Sequence, residues 1–335
     1  MTNVTIYDVA KRAGVSIATV SRVLNSPDRV VEETRTLVLT AIDELGFVPK
    51  FEARTRARKQ IGRIGVLTPH FTADSFVDRL RGVGAALAGL PYELVVYDVT
   101  TPAQRDGYLT SLALTHQVDG LIIIGLPFDE TMASRLLKHR MPIVQIGTLA
   151  QPFSDRFDRI VTDDESAGRI AAAHLLARGH RRVAYVGTGV QPDVAPDFGT
   201  ANLDGFRQAL ALAGVPLPNI YVSLAPFGLE QARQQAYQLL ALANPPTAIY
   251  AASDTQAIAV ISAARERGLN VPHDLAVIGF DDIEIAEFIG LTTVGQPLKE
   301  AGRLAVELLL RQIINQEHTQ QQIEMPLTLK QRMTV

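Results

Sequence analysis

Between Thr5 and Asn25 the chain reads TIYDVAKRAGVSIATVSRVLN, which gathers Ser16, Ile17, Ala18, Thr19, Ser21 and Arg22 into one short helical span. Hydroxyls and helix N-terminal amides suit phosphate oxygens, and an arginine fork can bond a guanine edge through two N–H groups. Ile17 and Ala18 offer only apolar contacts, for instance to a thymine methyl. A second set of groups lies at strand ends further along: His70, Phe71 and Phe76 after the first strand, Phe227 in a later loop, Ser253 and Asp254 at the end of AIYAAS, and Asp281 after AVIGF. Aromatic rings there could stack on the apolar face of a sugar, and a carboxylate with two free oxygens accepts from two neighbouring hydroxyls. Each has a plainer reading. Ser16, Asn25 and Asp254 suit helix caps, and Phe76 suits a core.

Other chemistries find no support. There is no cysteine, which excludes disulfides, thiolate zinc sites and thiol nucleophiles. Neither GxxxxGK[ST] nor GxSxG occurs, and Gly187-Thr188-Gly189 lacks the third glycine of a dinucleotide loop. The histidines form no HExxH, so neither a metal nor a cofactor is expected.

The elements that must position these groups are legible from periodicity. Ile6, Val9, Ala10 and Ala13 line one helical face, and Gly14 ends that helix. Val20, Val23 and Leu24 give a second helix its buried side, and Val38, Ala41, Ile42 and Leu45 a third, closed by Gly46. A helix, a short turn with glycine and a second helix make a helix-turn-helix unit. From Ile64 short apolar runs (RIGVLTP, YELVVYD, DGLIIIG, PIVQIG, RRVAYVG, LAVIGFD) alternate with helical stretches. About ten strands in such alternation predict two doubly wound parallel α/β subdomains, with ligands bound beyond the carboxyl ends of the strands.

With 335 residues, 47% hydrophobic and 20% charged, the chain is an ordinary globular one of two or three domains. Net charge is −3, yet residues 1–60 carry +3 and the remainder −6. A basic head on an acidic body concentrates favourable potential for a polyanion at one end. Residues 47–63, FVPKFEARTRARKQIGR, hold six Lys/Arg against one Glu and suit a linker, or a helix that forms only on a polyanion. No secretory or membrane-spanning segment is recognisable, so a cytoplasmic location is expected.

The head resembles that of the lactose/galactose repressor family of bacterial transcription regulators. The likeness continues through LGFVP (45–49), Ala53-Arg54, DDESAGRIAAAHLLARGHRRVAYVG (163–187), DGFRQALALAG (204–214), VPHDLAVIGFDD (271–282) and LTTVGQPLKEAG (291–302). It implies an all-α helix-turn-helix head over 1–48, a hinge over 49–62 and a type I periplasmic-binding-protein-like body over 63–335. Within the body one subdomain would span about 63–161 and 293–322, the other about 162–292 and 323–335. Ile17, Ala18 and Arg22 would read bases, while Thr5, Ser16, Thr19, Ser21, Asn25, Arg54 and Arg56 would bind DNA elsewhere, the hydroxyls and Asn25 chiefly at phosphates. The partners implied are double-stranded, pseudo-palindromic operator DNA, a second copy of the chain and a small effector in the cleft, with no membrane.

Two positions depart from the family pattern. Arg56 stands where a leucine wedge usually enters the minor groove, so this operator is expected to be bent less, or by other means. Asn202 stands where an arginine usually precedes the Gly205-Phe206 pair. Asn cannot neutralise an anion, which favours a neutral sugar or polyol. Ile283, Ile285 and Phe288 are candidates for a dimer surface. The resemblance implies a ligand-controlled repressor; a solute-binding protein without a regulatory role and a nucleotide-dependent α/β enzyme are the alternatives.

Overall fold

The computed structural model describes residues 4–25, 30–47, 61–148, 156–189, 200–314 and 319–335. The basic segment holding Arg54 and Arg56 lies outside them.

The described residues of the head form three helices, α1 (Ile6–Ala13), α2 (Ile17–Asn25) and α3 (Glu32–Leu45). Val9, Val20, Val38 and Ile42 are fully buried among them, as the helical spacing predicts. Gly14 and Gly46 close α1 and α3 in the left-handed region, at φ 67° and 62°, where a side chain would be strained. The head rests on the body. Leu114 joins the head's core, Ser111 Oγ donates to Leu24 O (3.2 Å), and Asp43 takes Arg135 Nη2 at 3.3 Å and faces His139 Nε2 at 3.4 Å.

The body's first subdomain begins β1 (Gly62–Thr68), α4 (Asp74–Leu87), β2 (Tyr92–Asp98), α5 (Pro102–Thr115) and β3 (Gly120–Ile124). It continues through α6 (Glu130–Lys138), β4 (Ile143–Thr148) and β5 (Asp158–Thr162). The second follows with α7 (Asp164–Ala177), β6 (Val183–Thr188), α8 (Thr200–Leu212), β7 (Val222–Ala225) and α9 (Leu229–Leu240). It ends with β8 (Ala248–Ala251), α10 (Asp254–Glu266), β9 (Ala276–Asp281), α11 (Glu284–Phe288) and β10 (Thr292–Gly295). The chain then returns to the first subdomain for α12 (Leu298–Ile314) and β11 (Gln322–Glu324), and to the second for β12 (Thr328–Lys330).

Two six-stranded sheets result, ordered β11-β5-β4-β3-β1-β2 and β12-β10-β9-β8-β6-β7. Among the described residues all pairings are parallel except β10 with β12. The continuous apolar runs follow from burial on both faces: in β3, Ile122 and Ile124 face α4 and α12 while Leu121 and Ile123 face α5 and α6. The subdomain limits expected from the sequence shift by a few residues. Thr292–Gly295 pairs with β9, so the second crossing falls after Gly295, and Gln322–Glu324 pairs with β5, so the third falls after Glu324.

The helices that flank the cleft are held by the same device in both subdomains. A Cβ on Gly82 of α4 would lie 1.9 Å from Lys299 O, and one on Gly302 of α12 would lie 2.1 Å from Arg79 O. In the other half a Cβ on Gly205 of α8 would lie 1.9 Å from Glu165 O, and one on Gly168 of α7 would lie 2.0 Å from Asn202 O. Only glycine permits such backbone contact. Arg79 and Asn202 therefore occupy matching positions, each three residues before the contact glycine of the helix that follows its subdomain's first strand.

Candidate functional site

The candidate DNA-facing side of the head is built on its caps. Thr5 donates its N–H (2.8 Å) and hydroxyl (2.7 Å) to the Asp8 carboxylate at the start of α1, and these bonds hold the Asp8 pKa below the usual carboxylate range. Ser16 caps α2, its Oγ accepting from Thr19 N at 3.1 Å and lying 2.9 Å from Thr19 Oγ1. Thr5 and Ser16 therefore have structural work independent of any phosphate. Val20, Val23 and Leu24 turn inward, which leaves Ser16, Ile17, Ala18 and Arg22 exposed, with Thr19 and Ser21 half-buried. An Ile17 that is 39% exposed on a helix with a well-filled core is an apolar group free to meet a base edge. Tyr7 of α1, 68% exposed, is an amphipathic group the sequence reading passed over.

The second candidate site is the cleft between the sheets. His70, at φ 49° just after β1, lies 5.6 Å ring to ring from Phe227 of the opposite subdomain, tilted by 31°. The two jaws thus touch at the lip. Phe71 is 40% exposed, whereas Phe76 is buried in the core of the first subdomain. Arg79 lies over the Phe76 ring, 5.8 Å from its centroid. Phe76 is thereby withdrawn from the cleft contacts expected of it, because α4 turns that face onto the sheet.

Ser253 caps α10 by accepting from Gln256 N at 3.2 Å. Asp254, fully buried, accepts from Ile283 N (2.9 Å) and from the Thr293 hydroxyl (2.5 Å). Both are tied to the scaffold, and Asp254 anchors the segment after β9 to β10. Burial raises its pKa to about 7 against the pull of those two donors. Asp281 is 7% exposed at φ 116°; burial and the neighbouring Asp254 raise its pKa, while Arg79 opposes them. Asn202 is fully buried and accepts from Tyr250 Oη, and its Nδ2 has no hydrogen-bond partner among the described residues.

Three further groups converge here that the sequence reading left out. Arg79 donates to Ser75 O (3.0 Å) and to Gln296 Oε1 (3.2 Å), and its Nε is buried without a partner among the described residues. Gln296 in turn donates Nε2 to Asp281 Oδ1 at 2.8 Å. Asp164, placed outside the site on sequence grounds, is buried with its pKa raised by burial to about 6; the Thr162 hydroxyl and then Arg79 pull it back. Arg79 and the aspartates come from opposite subdomains. On a second line, Arg81 of α4 bonds Asp78 (2.8 Å) and reaches Glu284 of α11 (2.5 Å), which again ties the two halves. A polar floor beneath an aromatic lip, built from two hinged halves, suits a small hydroxyl-rich molecule.

Of the dimer candidates, Ile283 is core, while Ile285 and Phe288 are 45% and 76% exposed. Among the described residues no group of three or more potential ligands gathers to hold a metal, and no helix is long and apolar enough to cross a membrane.

Comparison with known proteins finds relatives of both the head and the body. Residues 5–50 match the family described as "Bacterial regulatory proteins, lacI family", and residues 172–335 match "Periplasmic binding protein-like domain". The HTH-type transcriptional repressor CytR of Escherichia coli (strain K12) is 33% identical over 94% of this chain and 91% of its own. The solved "transcriptional regulator CelR-cellobiose complex" superposes with TM-score 0.72 at 30% identity, covering 99% of this chain and all of that one. The lac repressor dimer bound to operator and the anti-inducer ONPF gives 0.70 at 29% identity, covering 99% of each chain. With an exposed second helix in the head, a two-sheet body behind it and likeness over nearly its whole length, the chain belongs to the lacI family of DNA-binding bacterial transcription regulators.

Proposed function

We propose that the protein is a cytoplasmic, homodimeric repressor, without enzymatic activity, whose operator affinity is set by a neutral sugar or polyol in the cleft. The observation that carries this reading is the exposure of Ser16, Ile17, Ala18 and Arg22 on a helix whose other face is core. Ile17, Ala18 and Arg22 read base edges; Ser16, Thr19, Ser21 and Asn25 hold phosphates; Arg54 and Arg56 follow the backbone or a narrow minor groove. Two such heads on a dimer reach half-sites one helical turn apart, which a single head cannot do. Ile285 and Phe288 supply part of the surface between protomers.

In the cleft, His70, Phe71 and Phe227 cover a sugar's apolar face while Asp281 and Asn202 take its hydroxyls. The solved complex of CelR with cellobiose supports this class of effector. Binding biases the hinge between the subdomains, and by reciprocity operator DNA shifts effector affinity by the same factor.

Fluorescence anisotropy with inverted-repeat duplexes tests the reading. We expect a preference over scrambled duplexes, a log–log salt slope of about −0.9 per phosphate contact, and a change in affinity when cellobiose or another sugar is added. A monomer with no preference for any inverted repeat, with or without sugars, overturns it.

A further inference from the structure

We infer that Arg79 is a specificity-determining contact for the effector, and that Gln296 holds the effector's place between Arg79 and Asp281 when the cleft is empty. This rests on the reading of the cleft as a sugar or polyol site and adds which feature of the ligand it recognises.

The Gln296 carboxamide accepts from Arg79 Nη2 at 3.2 Å and donates to Asp281 Oδ1 at 2.8 Å. It bridges a cation of one subdomain and a carboxylate of the other, from the segment that crosses between them. Arg79 keeps a further donor in reserve, because its buried Nε has no partner among the described residues. A buried N–H left unused is costly unless something completes it.

The paired architecture gives the second reason. Arg79 and Asn202 stand at matching positions, each bearing the backbone carbonyl against which a glycine of the neighbouring helix is packed. Each also carries a buried nitrogen without a partner among the described residues, Arg79 Nε and Asn202 Nδ2. Two matching helices thus present unspent donors from opposite halves. Asp164 and Asp281 supply the acceptors, and Arg79 offsets their charge. With that balance already made, a net anion gains little.

The chemistry that replaces a carboxamide here is an acceptor and a donor side by side. Hydroxyls on adjacent carbons supply both: one accepts from Arg79, its neighbour donates to Asp281. Vicinal diols of a neutral sugar are therefore the recognised feature. Gln296 is released as they bind, and because it sits on the crossing segment its release is felt at the hinge.

Gln296→Ala and Arg79→Met, titrated calorimetrically beside the wild-type full chain with cellobiose, D-ribose and 2-deoxy-D-ribose, test this. Removing a competitor should tighten binding of the best diol by about threefold or more in Gln296→Ala, a gain that misfolding cannot imitate. Arg79→Met should weaken it at least tenfold, and 2-deoxy-D-ribose should bind every protein more weakly than D-ribose. Weaker binding by Gln296→Ala would make Gln296 an ordinary ligand contact and overturn the place-holder role, and unchanged affinity in Arg79→Met would remove Arg79 from recognition. In both cases wild-type binding would leave the sugar reading standing. Wild-type protein that binds none of the three overturns that reading and this inference with it.

Discussion

Gly302→Ala is the sharpest test of how the fold delivers Arg79 to the cleft. A Cβ at this position would sit 2.1 Å from Arg79 O and 3.0 Å from Val83 N. Ordinary contact begins near 3.4 Å, so α4 and α12 must separate by roughly 1 Å. Overpacking of this kind costs about 1–3 kcal/mol, which for a subdomain of this size lowers Tm by about 2–4 °C per kcal/mol. Because the obstructing atom is Arg79's own carbonyl, the displacement also moves its guanidinium away from Gln296. Gly84, exposed on the same helix with nothing within 4 Å of a built Cβ, is the internal control. Gly84→Ala should stabilise by about 0.5–1 kcal/mol through helix propensity. Differential scanning calorimetry with a cellobiose titration reads both effects. A Gly302→Ala protein that melts at or above the wild-type temperature would refute the claim that this contact sets the helix spacing.

Arg22→Ala should weaken operator binding by about 1–3 kcal/mol and relax preference at one base, as read by anisotropy against single-base operator variants; unchanged specificity would exclude Arg22 as a base reader. Asp254, with its pKa raised to about 7 in the fold against 3.8 in the open chain, binds more protons folded than unfolded. Its contribution to stability is complete at low pH and is lost as pH rises through 7, so this one carboxyl should contribute roughly 1 kcal/mol more at pH 6 than at pH 8. Denaturant titrations of the wild type and Asp254→Asn check this, and a stability difference between the two that does not change over that window, or changes in the opposite sense, would contradict it. Asp43→Ala removes the acceptor facing Arg135 and His139; amide exchange in α3 should quicken while the sheets stay protected, and unchanged exchange would mean this contact does not anchor the head.

The parts legible in the sequence were those written in local periodicity. The head helices, their glycine stops and the alternation of buried strands with helices are short-range patterns, and the lengths of the runs carry them. The cleft was read only where its residues end strands. Arg79 and Gln296 escaped because their meaning is non-local: Arg79 sits in DRLRG, which reads as a solvated helix face, and its partner is 217 residues away. Asp164 escaped because a helix N-terminal aspartate already has a sufficient role. Phe76 was placed in the cleft by its distance from a strand end, a criterion that ignores which way the helix turns. One signal was present: Arg79-x-x-Gly82 and Asn202-x-x-Gly205 follow the first strand of each half, and aligning the halves pairs the two side chains.

That pairing bears on the missing cation at position 202. On sequence alone, Asn202 removes the arginine expected at that position and favours a neutral effector. The fold places Arg79 at the matching position of the other jaw, so the cation is present but reaches the cleft from the opposite side. A charge on the first jaw attracts Asp281 and Asp164 on closing, whereas one at 202 would share their jaw and be indifferent to its motion. Moving the cation across the cleft therefore couples its electrostatics to the hinge. The same three charges that select the ligand also weight the closed state, and Gln296, bonded to both sides, is the group through which an entering hydroxyl pair is felt.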